Sequence, residues 1–155
     1  MTPRMRFLRF VTREGATALV EFALVVPVLV LLLVGALDIG RAVNAYVVVN
    51  GASREGARVA SLDPSASSGE VVAAVEARTV PLDTGKLVVT LGYYDSGGTL
   101  QQSWPPPATV PPSPVRVRVD VSYPWSAVTW MAGQFFAGGT GSQTFSASST
   151  MEGRR

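Results

Sequence analysis

Glu21 stands at the head of the most apolar stretch of the chain. It is followed directly by FALVVPVLVLLLVGAL, residues 22–37, a run without a single charge. In a bilayer an ionised carboxylate near the end of such a run costs up to about a few kcal/mol unless it reaches water or meets a cation. Its chemistry is charge pairing: it either snorkels to the headgroups of the near leaflet or awaits a cationic partner. Nothing elsewhere in the sequence offers a catalytic grouping. The 155 residues include no His and no Cys, which excludes imidazole or thiolate metal sites, disulfide scaffolds and His-activated nucleophiles. Asp83, Asp95 and Asp120 are too scattered to form a carboxylate pair, and Gly138-Gly139-Thr140-Gly141 lacks the Lys of a phosphate loop and reads as a turn. Neither an enzyme nor a cofactor, metal or small-molecule substrate is expected.

The element that positions Glu21 must be a helix. Residues 16–37 make 22 residues of mainly apolar character, about 33 Å at 1.5 Å per residue, enough to cross a hydrocarbon core of about 30 Å. The run is apolar all round and has no face to offer to water. Four arginines (Arg4, Arg6, Arg9 and Arg13) precede it and predict a cytoplasmic N-terminus. From residue 61 onward six basic residues face seven acidic ones, so the basic excess belongs to the start of the chain. The formal net charge of +2 is too small to suggest nucleic acid as a partner. A cleavable secretory signal has a shorter apolar region, about 7–15 residues, and a small-x-small site after it; here Asp38-Ile39-Gly40-Arg41 begins a new helical pattern, and a retained anchor is expected. Pro27, inside the run, removes one backbone donor and predicts a kink in the membrane-spanning helix.

Three ordered blocks carry a resemblance. Glu14-Gly15-Ala16 leads into Val20-Glu21-Phe22-Ala23-Leu24-Val25-Val26-Pro27. Asp38-Ile39-Gly40-Arg41-Ala42 and Ala45-Tyr46 follow the leucine-rich run. Ala52-Ser53-Arg54-Glu55-Gly56-Ala57-Arg58-Val59-Ala60-Ser61 closes the pattern. Together they resemble the TadE-like family, pseudopilins of the Tad (tight adherence) pilus system, over about a third of the chain. The resemblance implies a type IV pilin-like life cycle. A prepilin peptidase cuts after a Gly that ends a basic leader, and the new amine pairs with a Glu five residues into the mature chain of a neighbour. Here cleavage after Gly15 makes Glu21 the sixth mature residue, and cleavage after Ala16 makes it the fifth but replaces the Gly; the first is favoured, and an uncleaved chain is the third case. The implied partners are the membrane, other pilin or pseudopilin subunits, the pilus assembly machinery and a prepilin peptidase. The competing reading is a bitopic anchored extracytoplasmic binding module that enters no filament.

The remainder predicts an α+β, pilin-like layout. The expected organisation is a basic cytoplasmic leader (1–15), a transmembrane helix (16–37), its extracytoplasmic continuation (38–61) and a small extracytoplasmic α+β domain (62–155). In the continuation, Ile39, Ala42, Val43, Tyr46, Val47, Val49 and Val59 recur at three- and four-residue spacing and are taken as the apolar face. The REGAR block, residues 54–58, is expected to dock on the domain. A second helix is expected over 68–79, with Val71, Val72, Ala74 and Val75 toward its apolar side. A strand follows over 86–94, Gly97-Gly98 turns into a short strand toward Trp104, and the proline-rich 105–114 is a connector. Residues 115–121 alternate valine with polar residues as a strand should. Residues 142–150 make the last strand and 151–155 a frayed end. The aromatic patch from Tyr123 through Trp125, Val128, Trp130 and Met131 to Phe135 and Phe136 is read as core, with a pilin contact or the membrane interface as the alternative. The protein should sit in the inner membrane as a single-pass chain, or be drawn from it into a surface pilus.

Overall fold

The computed structural model describes residues 13–95, 97–107, 115–129, 133–134 and 139–153. Helix α1, Arg13–Leu62, runs 50 residues without interruption, with Pro27 inside it. Asp63 and Pro64 end it, and the Asp63 carboxylate turns the chain by accepting the Ser65 amide at 2.9 Å. Helix α2, Ser68–Arg78, opens with a capping box: the Ser67 hydroxyl accepts the Glu70 amide at 3.3 Å and the Glu70 carboxylate accepts the Ser67 amide at 2.8 Å. Each partner satisfies a donor that the first helical turn leaves open. Val71 and Val75 are the residues α2 buries.

Four strands follow: β1 (Val88–Tyr94), β2 (Leu100–Gln101), β3 (Val115–Ser126) and β4 (Ser142–Gly153). They form one antiparallel sheet in the order β2-β1-β3-β4. A long apolar helix, a second helix and a four-stranded antiparallel sheet make this an α+β protein of pilin-like layout. The alternation in β3 is realised as the sequence predicts. Val115, Val117, Val119 and Val121 are fully buried, and Arg116 and Arg118 lie on the other face. Burying each valine contributes about 1.5–3 kcal/mol, more than the surface pairs Arg118–Asp120 and Arg116–Glu152 supply at about 0–1 kcal/mol.

Two strands run further than their patterns suggest. β3 continues past Val121 through Pro124 to Ser126, paired with β4 throughout. Its pairing with β1 ends at Ser122, so Pro124 lies where β3 has one strand neighbour only, and its missing donor is tolerated. β4 includes Met151, Glu152 and Gly153, which corrects the expectation of a frayed end there. Gly153 is held because it pairs with Val115 and packs against the carbonyl of Ser61, leaving no room for a side chain.

The packing face of α1 also differs from the one its large residues suggest. Ile39, Val43, Tyr46 and Val47 are exposed, while Ala45, Val49, Ala52, Ser53, Ala57 and Ala60 are buried against the sheet and α2. The small residues let the helix axis approach the sheet closely, which larger side chains would prevent. β4 runs alongside the upper half of α1: Phe145 meets Tyr46 edge-on, and the Ser149 and Ser53 hydroxyls bond at 2.9 Å. Gly56 sits at the tightest point. A Cβ there would come within 2.6 Å of Val75 Cγ2 and 3.0 Å of Val119 Cγ1. The REGAR block therefore docks through Gly56 and Ala57, while Arg54 and Arg58 face solvent and Arg58 Nε donates to Glu55 at 3.0 Å.

Gly56→Val should overpack this junction and destabilise the fold by about 1–3 kcal/mol. Gly51→Val, at a position where a Cβ meets nothing, should not. Thermal unfolding of the full chain in detergent, followed by circular dichroism, should show a melting temperature several degrees lower for the first variant alone.

Candidate functional site: the α1 rod and its docking point

The lower part of α1 is bare. Only 6% of its most apolar 18-residue window is buried, and Leu19, Phe22, Leu24, Leu29, Leu32 and Leu33 all stand exposed. One helix of the described residues is long and apolar enough to cross a membrane. Gly15 and Ala16 lie half-buried near its start, and Glu21 is exposed on the shaft with no cationic partner among the described residues. Pro27 lies farther along the same shaft. α1 thus brings the four residues singled out from the sequence onto one rod, remote from the sheet.

The transition from bare to covered helix occurs at one residue that the sequence reading did not single out. Asp38 is 2% exposed. Its Oδ2 accepts the Thr129 amide at 2.8 Å and the Thr129 hydroxyl at 2.6 Å; its Oδ1 accepts the Val128 amide at 3.2 Å and Arg41 Nη1 at 3.1 Å. The segment leaving β3 is therefore clamped to α1 by a carboxylate about ninety positions away in the chain. A signal was available: Asp38 lies one heptad below Ala45 on the stripe continued by Val49, Ala52, Gly56 and Ala60, so a charge occupied a position facing the domain. Burial pushes the Asp38 carboxyl up, but the Thr129 and Val128 hydrogen bonds and the Arg41 charge outweigh it and hold the group below its ordinary value.

Directly above Asp38 lies a groove of about 410 Å³. Ile39, Val43 and Tyr46 of α1 form one wall, and Trp125 and Phe145 of β3 and β4 form the other. Trp125 and Phe145 rings are 6.1 Å apart, centroid to centroid. Trp125 is 5% exposed, and its Nε1 has no hydrogen-bond partner among the described residues. Trp125 thus lines a cleft rather than filling a closed core, Tyr123 packs against the core, and Val128 is exposed. Trp130, Met131, Phe135 and Phe136 lie outside the described residues.

The scattered carboxylates have local duties. Asp83 accepts the Gly85 amide and pairs with Lys86 at 3.3 Å. Asp95 accepts the Gly97 and Thr99 amides, both at 2.9 Å. Asp120 is held by Arg118 on its own strand. The remaining feature is the rod itself, and a family model described as TadE-like protein matches residues 12–58, the bare shaft together with the docked half up to the REGAR block. This segment is TadE-like. No curated protein and no solved structure matches the chain. The TadE-like segment contains Asp38 and Gly56, so it carries its own means of attaching the sheet.

Because the Asp38 carboxyl is depressed in the folded state, its contribution is fully present above the unfolded value, about pH 4, and is lost as pH falls through the lower folded value. Asp38→Asn presents an amide to donors that need an acceptor, at a cost of about 1–3 kcal/mol. Hydrogen exchange at the Thr129 amide should be accelerated by this substitution at neutral pH. In the native protein the same acceleration should set in only under acid conditions below pH 4.

Proposed function

We propose that this TadE-like protein is a membrane-anchored pseudopilin or minor pilin with a non-enzymatic part in assembling a Tad-type pilus. The observation that carries the reading is the bare apolar shaft within the family-matched segment. In a soluble fold such a helix would be a core element, and among the described residues nothing lies over this one. In the proposed arrangement residues 16–37 span the inner membrane once. The arginine-rich residues 1–15 lie in the cytoplasm, and 38–61 and 62–155 lie outside. The same rod, drawn from the lipid, is the surface through which other pilin subunits pack.

Glu21 is the register element of this reading. If a prepilin peptidase cuts after Gly15, the new amine at Ala16 lies about 7.5 Å below Glu21 along the axis and some 140° around it. The amine then faces away from its own Glu21, and the carboxylate must take its cation from a neighbouring subunit. Cutting after Ala16 instead puts the amine four residues away, on the same face. A buried carboxylate with a specific cation is tolerable, whereas one left unpaired is strongly penalised, so only correctly staggered neighbours associate. Pro27 leaves one carbonyl of the shaft unbonded and provides the place where the spanning helix bends.

Glu21→Gln should leave membrane insertion and protein abundance intact while pilus number on native-host cells falls sharply, as counted by electron microscopy. Unchanged piliation in this variant would remove Glu21 from the assembly mechanism. Intact mass of the protein purified from that host should correspond to a chain beginning at Ala16.

A further inference from the structure

We infer that the groove above Asp38 is bedded in the outer interfacial layer of the membrane and takes the ester region and first methylenes of an outer-leaflet phospholipid. The inference rests on the membrane-anchored reading of α1 and adds a site to it. Two observations converge. The first is level: Ile39 to Tyr46 rise about 2–12 Å above Asp38, and the interfacial layer outside the hydrocarbon is about 5–8 Å thick on each side. A rod whose apolar shaft ends at Leu37 therefore puts the lower half of the groove among headgroups and esters. The second is continuity. The exposed apolar face of the shaft does not stop at Leu37 but continues through Ile39, Val43, Tyr46 and Val47, and Val128, 72% exposed, stands beside it at the Asp38 clamp.

A phospholipid suits such a place, since its first methylenes fit the apolar walls and its esters belong to the interfacial layer. Tryptophan and tyrosine are the side chains that favour this depth, with an apolar ring and one polar atom. The lipid-filled groove would fix the tilt of the sheet over the bilayer, with the Asp38 clamp as its pivot.

The chain has no cysteine, so single-cysteine variants carrying an environment-sensitive fluorophore test this directly. Val43→Cys and Gln143→Cys sit at the groove, Leu31→Cys on the shaft, and Ser148→Cys on the exposed side of β4. Each full-length variant is placed at one chain per nanodisc of phosphatidylethanolamine and phosphatidylglycerol, with spin-labelled phospholipid as quencher. The labels at 43 and 143 should be blue-shifted and quenched by a spin label near the headgroup, the label at 31 by one deep in the acyl chain, and the label at 148 by neither. The Trp125 indole proton resonance, assigned by its loss in Trp125→Phe, should broaden with the headgroup label, and that of Trp104 should not. If 31 is lipid-protected while 43 and 143 behave like 148, the groove inference fails and the anchor stands. If 31 is also in water, both fail. A shift at 43 and 143 that requires two chains per disc overturns the lipid assignment in favour of a second copy.

Discussion

A carboxylate with four donors around it sets the geometry of this protein. Asp38 lies where the apolar shaft of α1 ends, and its bonds to the Thr129 and Val128 amides bring the far end of β3 down to that level. Above it the helix can be covered because the residues facing the sheet are small; below it no other described segment returns to cover the leucines. Breaking the clamp would free the edge of the sheet nearest Asp38 while leaving the upper dock, at Gly56 and Gly153, in place. The two docks at opposite ends of the upper helix make rod and sheet one body.

This arrangement divides the surface of one helix between two uses. The stripe through Ala45, Val49, Ala52 and Ala60 is spent on the fold. The remaining face, apolar from Leu19 to Val47, is left for whatever surrounds the rod. A helix committed to its own domain all round would have no apolar face left for other contacts. The use of alanine, serine and glycine for the internal dock keeps the large apolar side chains free for the external one.

Much of this was legible in the sequence, and the parts that were not share a cause. The rod, the second helix over 68–79, the valine alternation of β3 and the Gly97-Gly98 turn are local patterns, and local patterns specify local structure. The packing face of α1 was misread because hydrophobic size was taken as the sign of burial, whereas close helix–sheet approach selects for smallness. Asp38 reads in the sequence only as the beginning of a new helical pattern, because its principal partners include backbone amides about ninety residues on, which no side-chain pattern advertises. The groove needs α1, β3 and β4 together and has no sequence signature of its own. The continuation of β3 through Pro124 could be read only once β1 was seen to end beside Ser122.

The central claim is that one apolar rod crosses the bilayer once and holds the sheet outside. Topology labelling with a membrane-impermeant maleimide tests it most directly, using cysteines at Thr2 in the basic leader and at exposed Val88 in β1. In spheroplasts of a heterologous host without a prepilin peptidase, where the leader stays attached, the cysteine at 88 should label at once and the cysteine at 2 only after lysis, with the protein staying in the membrane pellet through an alkaline wash. Labelling of both positions only after lysis, with the protein in the soluble fraction, would contradict the account.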